Sequence, residues 1–299
     1  MAIQITFLGT STTVPTAERN HTSILLKYKD ENILVDCGEG TQRQFRKAKI
    51  NPCKLTKILI THWHGDHILG LPGLFQTLAF NKYSKTLEIY GPKGTKKFIK
   101  ELFKIFVIKK KIKIKVYEVN GKFLKTADFE ISAIPLEHSC PTNGYMFEEK
   151  PKLRINKEKL KKLKISQNDR KKLSQLTKGK SIEVNGKTIS SKDLTYKQAS
   201  KKISFVFDTK KCRNAEKLAK DSDLAIIEST LDDNERLAKE YKHLTVTQAA
   251  QIAKKANVKK LVLTHISQRY ENKSKRLENM AKKIFKNTNV AKDFDVFEI

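Results

Sequence analysis

No stretch of this 299-residue sequence approaches the roughly 20 consecutive apolar residues of a membrane-spanning helix. The opening Ile3-Gln4-Ile5-Thr6-Phe7-Leu8 alternates like a strand and lacks the basic start and long apolar run of a signal peptide. A soluble, cytoplasmic protein without membrane association is therefore expected. Cysteine is scarce. Cys37, Cys53, Cys140 and Cys212 form no C-x-x-C pair, which argues against a structural zinc ribbon. In an intracellular chain they are expected to be reduced and mostly buried. Whether Cys140 and Cys212, each close in sequence to a candidate ligand, touch the site is open. Acidic residues are few, with 32 Asp+Glu against 61 Lys+Arg and a formal net charge of +29. So positive a surface attracts polyanions, nucleic acid first among them. Genome composition or habitat is the competing explanation, because Lys far outnumbers Arg.

What is present suffices for a core: apolar residues make up 38%, and the length fits one large domain or two modest ones. Strand patterns are expected at 3–8, 23–28, 32–36, 57–60, 87–90, 113–118, 129–134, 143–147, 203–207, 224–227, 260–264 and 294–298. Helical patterns fall at 40–48, 70–80, 94–106, 213–220, 246–256 and 274–286. The turn Lys29-Asp30-Glu31 joins two strands as a hairpin. Mixed alternation of this kind indicates a layered α/β domain with sheets covered by helices.

The segment 150–202 differs, carrying 18 Lys+Arg and 4 Asp+Glu, a net of +14 in 53 residues. Nearly half the net charge thus sits in under a fifth of the chain. Residues 157–165 fit a basic amphipathic helix, and Val184-Asn185-Gly186-Lys187 is a hairpin turn. The segment reads as a basic arm inserted into a globular domain spanning 1–299. A solvated, disordered linker is the alternative, against which stand its leucines and its hairpin.

Histidine too is uncommon, and its placement is informative. Of seven, three stand in His62-Trp63-His64-Gly65-Asp66-His67, directly after the apolar run Ile58-Leu59-Ile60. Four ligand-type side chains within six residues cannot all face one way on a strand or a helix. A loop can gather them, with Gly65 supplying freedom for a tight turn. Imidazole and carboxylate are the ligands zinc accepts when sulfur is absent. His138, Asp208 and His265 each follow a strand, and His243 precedes the helix 246–256. This places them on one rim of a sheet layer and leaves only His21 over. An Asp after a strand is ordinarily a cap or turn residue. Beside these histidines Asp208 reads as a bridging ligand.

The loop His62–His67 with His138, Asp208 and His265 resembles the metallo-β-lactamase superfamily and, more narrowly, the tRNase Z (ribonuclease Z) family, endonucleases that trim the 3′ end of precursor tRNA. Three stretches carry the resemblance along essentially the full chain. They are Phe7-Leu8-Gly9-Thr10 with Arg19-Asn20-His21-Thr22-Ser23, the run from His62 through Gly70-Leu71-Pro72-Gly73-Leu74, and Leu263-Thr264-His265-Ile266-Ser267-Gln268-Arg269-Tyr270. The first is the least specific. The resemblance implies an αββα sandwich of two mixed sheets flanked by helices, with the basic arm inserted. It further implies two zinc ions per subunit, with manganese or iron as alternatives. His62, His64 and His138 would hold one, Asp66, His67 and His265 the other, and Asp208 would bridge. Asp66 is also the implied proton acceptor.

A Glu-centred motif, His-Glu-Ala-Thr in typical members, is similar to Ile227-Glu228-Ser229-Thr230, and a His-Ser-Thr motif is similar to His243-Leu244-Thr245. Glu228 and His243 are thereby implied as the relay that protonates the leaving 3′-oxygen, the alternative being a buried ion pair that only shapes the loop. The products would be tRNA with a 3′-hydroxyl and a trailer with a 5′-phosphate. Ser267, Arg269 and the arm, including Lys161, Lys162, Lys164, Arg170, Lys171 and Lys172, are the implied RNA contacts. The arm's tip, Ser166 to Leu173, lacks the Gly-Pro motif usual in bacterial members. Precursor tRNA is the implied partner, and a homodimer the implied assembly. The competing readings are a hydrolase of the same superfamily acting on a small substrate, and an RNA-binding protein with a decayed site.

Overall fold

The computed structural model describes residues 2–106, 112–161, 163, 167–184 and 186–299. Two compact units divide the chain. One comprises Met1–Lys125, Ile131–Phe147 and Lys202–Ile299, and the other Thr126–Glu130 and Glu148–Lys201.

Among the described residues the strands run as β1 Gln4–Gly9, β2 Ser23–Tyr28, β3 Glu31–Val35, β4 Lys57–Leu59, β5 Thr86–Gly91, β6 Lys113–Glu118, β7 Gly121–Lys125, β8 Phe129–Leu136 and β9 Thr142–Glu149. After these come β10 Lys152–Ile155, β11 Ile182–Val184, β12 Lys187–Ile189, β13 Thr195–Gln198, β14 Lys202–Val206, β15 Leu224–Glu228, β16 Leu261–Thr264, β17 Thr288–Val290 and β18 Val296–Glu298. One sheet has the order β18-β1-β2-β3-β4-β5-β6 and the other β17-β16-β15-β14-β9-β8-β7. Both are mixed: β1, β2 and β3 pair antiparallel, while β3 to β6 and β14 to β17 pair parallel.

Alternation along the strands decides the layering. Leu8, Leu25, Leu34, Ile58 and Ile89 join a core with Phe45, Leu74, Phe75 and Ile99 from the helices Thr41–Lys47, Leu71–Phe80 and Thr95–Ile105. The intervening Phe7, Ile24, Leu26, Ile33 and Leu59 face the other way and are buried as well. Only a second layer can cover them. That layer is the other sheet: Tyr145 donates to the Ile60 carbonyl at 2.7 Å, and the rings of Tyr28 and Phe147 meet edge to face at 5.4 Å. The outer face of β14 to β16 packs Val206, Ala225, Ile227, Leu261 and Leu263 against the helices Arg213–Ala219, Val246–Lys255 and Ser274–Lys282. The layers run helix, sheet, sheet, helix. The near-continuous apolar runs of β14, β15 and β16 are those of parallel strands buried on both faces.

The second unit has a small core of its own. Leu176, Ile182, Val184 and Leu194 are buried together, with Leu160, Leu173 and Ile189 against them. β10 pairs antiparallel with β13, and β11 with β12. A capping box between Ser190 and Asp193 starts the short helix Ser191–Leu194. The basic helix begins as expected at Lys157 and runs to Lys161, beyond which Lys162 and Lys164 to Ser166 lie outside the described residues, as does Asn185 in the hairpin turn. Lys161, Arg170, Lys171 and Lys172 are exposed.

Sequence patterns missed β7, β17, the helix Glu235–Tyr241 and, in the arm, β10, β13 and the short helices Gln167–Arg170, Leu173–Leu176 and Ser191–Leu194. All are at most seven residues long, too short for a period to register.

Candidate metal centre

Four of the candidate ligands follow the end of a strand, and in open α/β sheets sites form beyond the carboxyl ends of the strands. β4 leads to Thr61 and His62, β8 to His138, β14 to Asp208 and β16 to His265. Past His62 the chain alternates. Trp63 turns outward, donating to Thr95 Oγ1 at 2.9 Å and packing against Phe98, while His62 and His64 face inward with ring centroids 4.6 Å apart. The motif is only half a loop. Asp66 and His67 belong to a single helical turn, Gly65–Ile68, and both are buried. Gly65 does not supply the tight turn expected of it, since a Cβ there meets nothing closer than a Leu69 methyl at 3.1 Å. The close approach lies instead between Gly38 and Gly70. A Cβ on Gly70 would stand 2.0 Å from the Gly38 carbonyl oxygen, and one on Gly38 2.4 Å from that of Asp66.

The structure gathers the ligand atoms of His62, His64, His138 and Asp208 within 4.8 Å of one another, and likewise those of Asp66, His67 and His265. Asp208 lies between the groups. Its Oδ2 is 3.5 Å from His62 Nε2 and 3.8 Å from His138 Nε2, and its Oδ1 is 3.4 Å from both His67 Nε2 and His265 Nε2. Asp66 Oδ2 is 3.5 Å from His67 Nε2 and 3.4 Å from His265 Nε2.

Outer partners fix which nitrogen each ring presents. Asp36 is fully buried and accepts from Thr61 N, Thr61 Oγ1 and His67 Nδ1, each at 2.7 Å. Since the Thr61 hydroxyl gives its proton to Asp36, His62 Nδ1, 3.0 Å away, donates to it. Thr230 Oγ1 likewise donates to Glu228 Oε2 at 2.6 Å and receives from His265 Nδ1 at 2.9 Å. His138 Nδ1 donates to the Lys242 carbonyl at 3.0 Å. All four rings therefore turn Nε2 toward the centre, an arrangement that orients metal-ligating histidines.

The donor set fits a cation. Buried side-chain atoms without a hydrogen-bond partner, among the described residues, are His62 Nε2, Asp66 Oδ2, Asp208 Oδ1 and Thr264 Oγ1. Three of the four belong to this cluster, and a buried polar atom left unpaired is costly. Burial disfavours charge on Asp66 and Asp208, yet the surrounding imidazoles outweigh it and hold both carboxyls well below their usual range. Burial and the neighbouring His67 push His62 well below its usual value, leaving a neutral nitrogen donor. His67 moves the other way: burial opposes its charge, but Asp208, Asp36 and Asp66 prevail, so a metal ion there competes with a proton.

The remaining expected residues stand around the cluster. His243 Nδ1 lies 3.1 Å from Glu228 Oε1 and 3.9 Å from Asp208 Oδ2. Burial works against its charged form, but the Glu228 carboxylate outweighs this and pushes it up to about 9. Ile227 and Leu244, which depart from the family's motifs, are fully buried in the outer apolar core and face away from the site. A cavity of about 440 Å³ opens over the cluster, and Ser267 and Arg269 line it together with His64, His138, Asp208 and His243. His21 stays outside, buried with Nε2 3.0 Å from the Thr13 carbonyl oxygen. Cys140 and Cys212 join none of the ligand groups, and Cys212 is part of the apolar core. Sequence reasoning overlooked Asp36 and gave Thr61 and Thr230 no role of their own. Asp36 carried the one available signal, an acidic residue directly after a strand, as at Asp208.

Known proteins resemble this chain over nearly its full length. Ribonuclease Z of Methanothermobacter thermautotrophicus is 39% identical over 300 residues, covering 99% of this chain and 97% of the relative. The short form of human tRNase Z superposes with a TM-score of 0.70 at 28% identity, covering 98% of each chain. The metallo-β-lactamase fold protein YhfI from Bacillus subtilis superposes with a TM-score of 0.71 over the whole of both chains at 19% identity, a likeness of fold alone. A sequence-family model described as anti-Pycsar protein Apyc1 matches residues 3–109.

Proposed function

The chain belongs to the ribonuclease Z family, and from that premise we propose that its His/Asp cluster holds two zinc ions for cutting precursor tRNA. The protein is a metal-dependent hydrolase, an endoribonuclease of tRNA 3′ processing. In our reading His62, His64 and His138 hold one ion, Asp66, His67 and His265 the other, and Asp208 both. Zinc suits a set of imidazoles and carboxylates without sulfur, and manganese or iron is the alternative. Bound there, two divalent ions would supply Lewis acidity, easing the deprotonation of water and offsetting charge on the phosphoryl group.

The chain's own residues do the rest. Asp66, anionic in its buried setting, accepts the proton of the attacking water. His243, charged beside Glu228, donates a proton to the departing 3′-oxygen, an alkoxide that leaves poorly without one. Glu228 is itself held by Thr209 N at 2.9 Å and by Thr230 Oγ1, so it positions His243. The products are tRNA with a 3′-hydroxyl and a trailer with a 5′-phosphate. Ser267 and Arg269 bind the RNA at the cavity. The basic segment 150–202, an arm interrupting the nuclease domain, grips the tRNA body through Lys161, Lys162, Lys164, Arg170, Lys171 and Lys172. Phosphate neutralisation and counterion release drive such binding, and folded RNA is read largely by shape.

The observation that carries this reading is the set of buried atoms without a hydrogen-bond partner on His62, Asp66 and Asp208, a donor set suited to a cation. Incubation with 3′-extended precursor tRNA, with and without chelator and with mapping of the cut, tests it. Chelator-sensitive cleavage at the 3′ junction is expected, and cleavage elsewhere or resistance to chelator would overturn it. Metal analysis of the purified protein should return two zinc ions per chain.

No described helix is long and apolar enough to cross a membrane. We further propose a cytoplasmic homodimer, as the family resemblance implies. Sedimentation at twice the 34.3 kDa chain mass supports the dimer, and a monomer counts against it.

A further inference from the structure

The cavity over the cluster has an aromatic lip. Tyr241 lines it and is 56% exposed. Among the described residues its ring meets no other ring and its hydroxyl has no partner. It ends the helix Glu235–Tyr241, which Lys242 stops by entering the left-handed region at φ 54°. Lys242 is fastened to the site twice: its carbonyl accepts from His138 Nδ1 at 3.0 Å, and its Nζ donates to the His138 carbonyl at 3.3 Å. Tyr241 therefore sits on a fixed support, two residues before His243. Val14, 47% exposed, adds apolar surface to the same lining, and Arg269 adds positive charge.

A lone exposed tyrosine is ordinary on a protein surface. This one lines the same cavity as His138, Asp208 and His243. His243 faces the leaving 3′-oxygen in the reading above, on which this inference rests. The nucleotide bearing that oxygen must then pass the wall that carries His243 and Tyr241. An unpaired base at that nucleotide offers a bare π-face. Stacking on an aromatic ring is indifferent to base identity, as an enzyme serving many precursor tRNAs requires. We propose that Tyr241 is the stacking platform for the base of the last retained nucleotide, setting the register of the cut.

Tyr241→Ala should raise KM for precursor tRNA about 5- to 150-fold, the range of single base stacks, with kcat changed far less. Tyr241→Phe and Tyr241→Trp should retain wild-type KM. An abasic residue at the last retained position should weaken the wild type by the same factor, and Tyr241→Ala should then cost nothing more. Stopped-flow quenching of 2-aminopurine at that position, on mixing and before cleavage, should occur with the wild type and vanish in Tyr241→Ala. Equal losses on intact and abasic substrates, unchanged KM in Tyr241→Ala, or quenching that survives it would each overturn the stack. Should the wild type quench the probe but leave the RNA uncut, the ribonuclease reading falls while the platform stands.

Discussion

Replacing Asp36 by Asn probes how the site is oriented without touching a proposed ligand. Asp36 sits at φ 58°, a region Asn also tolerates, so the backbone has no reason to move. The consequences follow from hydrogen-bond polarity. With the amide nitrogen in place of Oδ1, an N–H group faces the Thr61 N–H across 2.7 Å, a buried donor against a donor. With the nitrogen in place of Oδ2, it faces Thr61 Oγ1 and His67 Nδ1. The threonine hydroxyl then turns toward His62 Nδ1, and both rings must carry their protons on Nε2, the atoms aimed at Asp208. The first outcome costs about 1–3 kcal/mol of stability for an unsatisfied buried group. The second costs metal affinity, about 10–100-fold for an outer partner of this kind, or about 1.4–2.7 kcal/mol. Competition against a chromogenic chelator reads the affinity and a thermal melt of the metal-free protein reads the stability. Wild-type values in both would refute the claim that Asp36 sets the two tautomers.

His243→Ala should slow precursor-tRNA cleavage about 10²–10⁴-fold while sparing a phosphodiester with a p-nitrophenolate leaving group, which departs unprotonated; equal losses on the two would make the Glu228–His243 pair structural. Deleting 150–202 should weaken tRNA binding strongly, as seen in filter binding across a salt series, while hydrolysis of a small phosphodiester survives. If both activities fall together, the segment is a structural part of the nuclease. At Asp293, burial pushes the carboxyl up to about 6 despite bonds from Asn20 N–H and Thr10, whereas an unfolded aspartate titrates near about 3.9. The folded state thus holds the extra proton between these values, and stability should fall as pH rises from about 4 to about 6. Urea midpoints at both ends of that window should lose this slope in Asp293→Asn; an unchanged slope would show that Asp293 is not its source.

Much of the fold was legible because its strands are regular. The alternation of β1 and the apolar runs of β14 to β16 follow directly from burial on one or both faces. The ligand groups were legible through rarity: His138 and His265 stood out in a chain with seven histidines and sat just past strands. Asp36, Thr61 and Thr230 were not, because aspartate and threonine after a strand are commonplace and only the fold reveals what they face. The helix Glu235–Tyr241, bounded by Asn234 and the left-handed Lys242, was hidden for a related reason. Nothing in the sequence marks Lys242 as a residue that would leave the helical region. Yet its carbonyl orients His138 and its position places Tyr241 at the cavity.

Backbone conformation adds a cost that composition conceals. Asp36, Asp208 and His265 each take a positive φ, 58°, 35° and 59°, directly after their strands or nearly so. A residue other than glycine in this region costs about 1–2 kcal/mol, and such strain clusters at functional sites. The turn sends the chain out of the sheet while the side chain remains over its end. Asp36 is compensated by three bonds of 2.7 Å, and His265 by its bond to Thr230. Asp208 is compensated least, being fully enclosed and anionic, with Oδ1 lacking any hydrogen-bond partner. The largest uncompensated cost therefore falls on the residue we assign to both ions. Two cations beside one carboxylate would relieve it most, which ties the strain in the fold to the occupancy of the site.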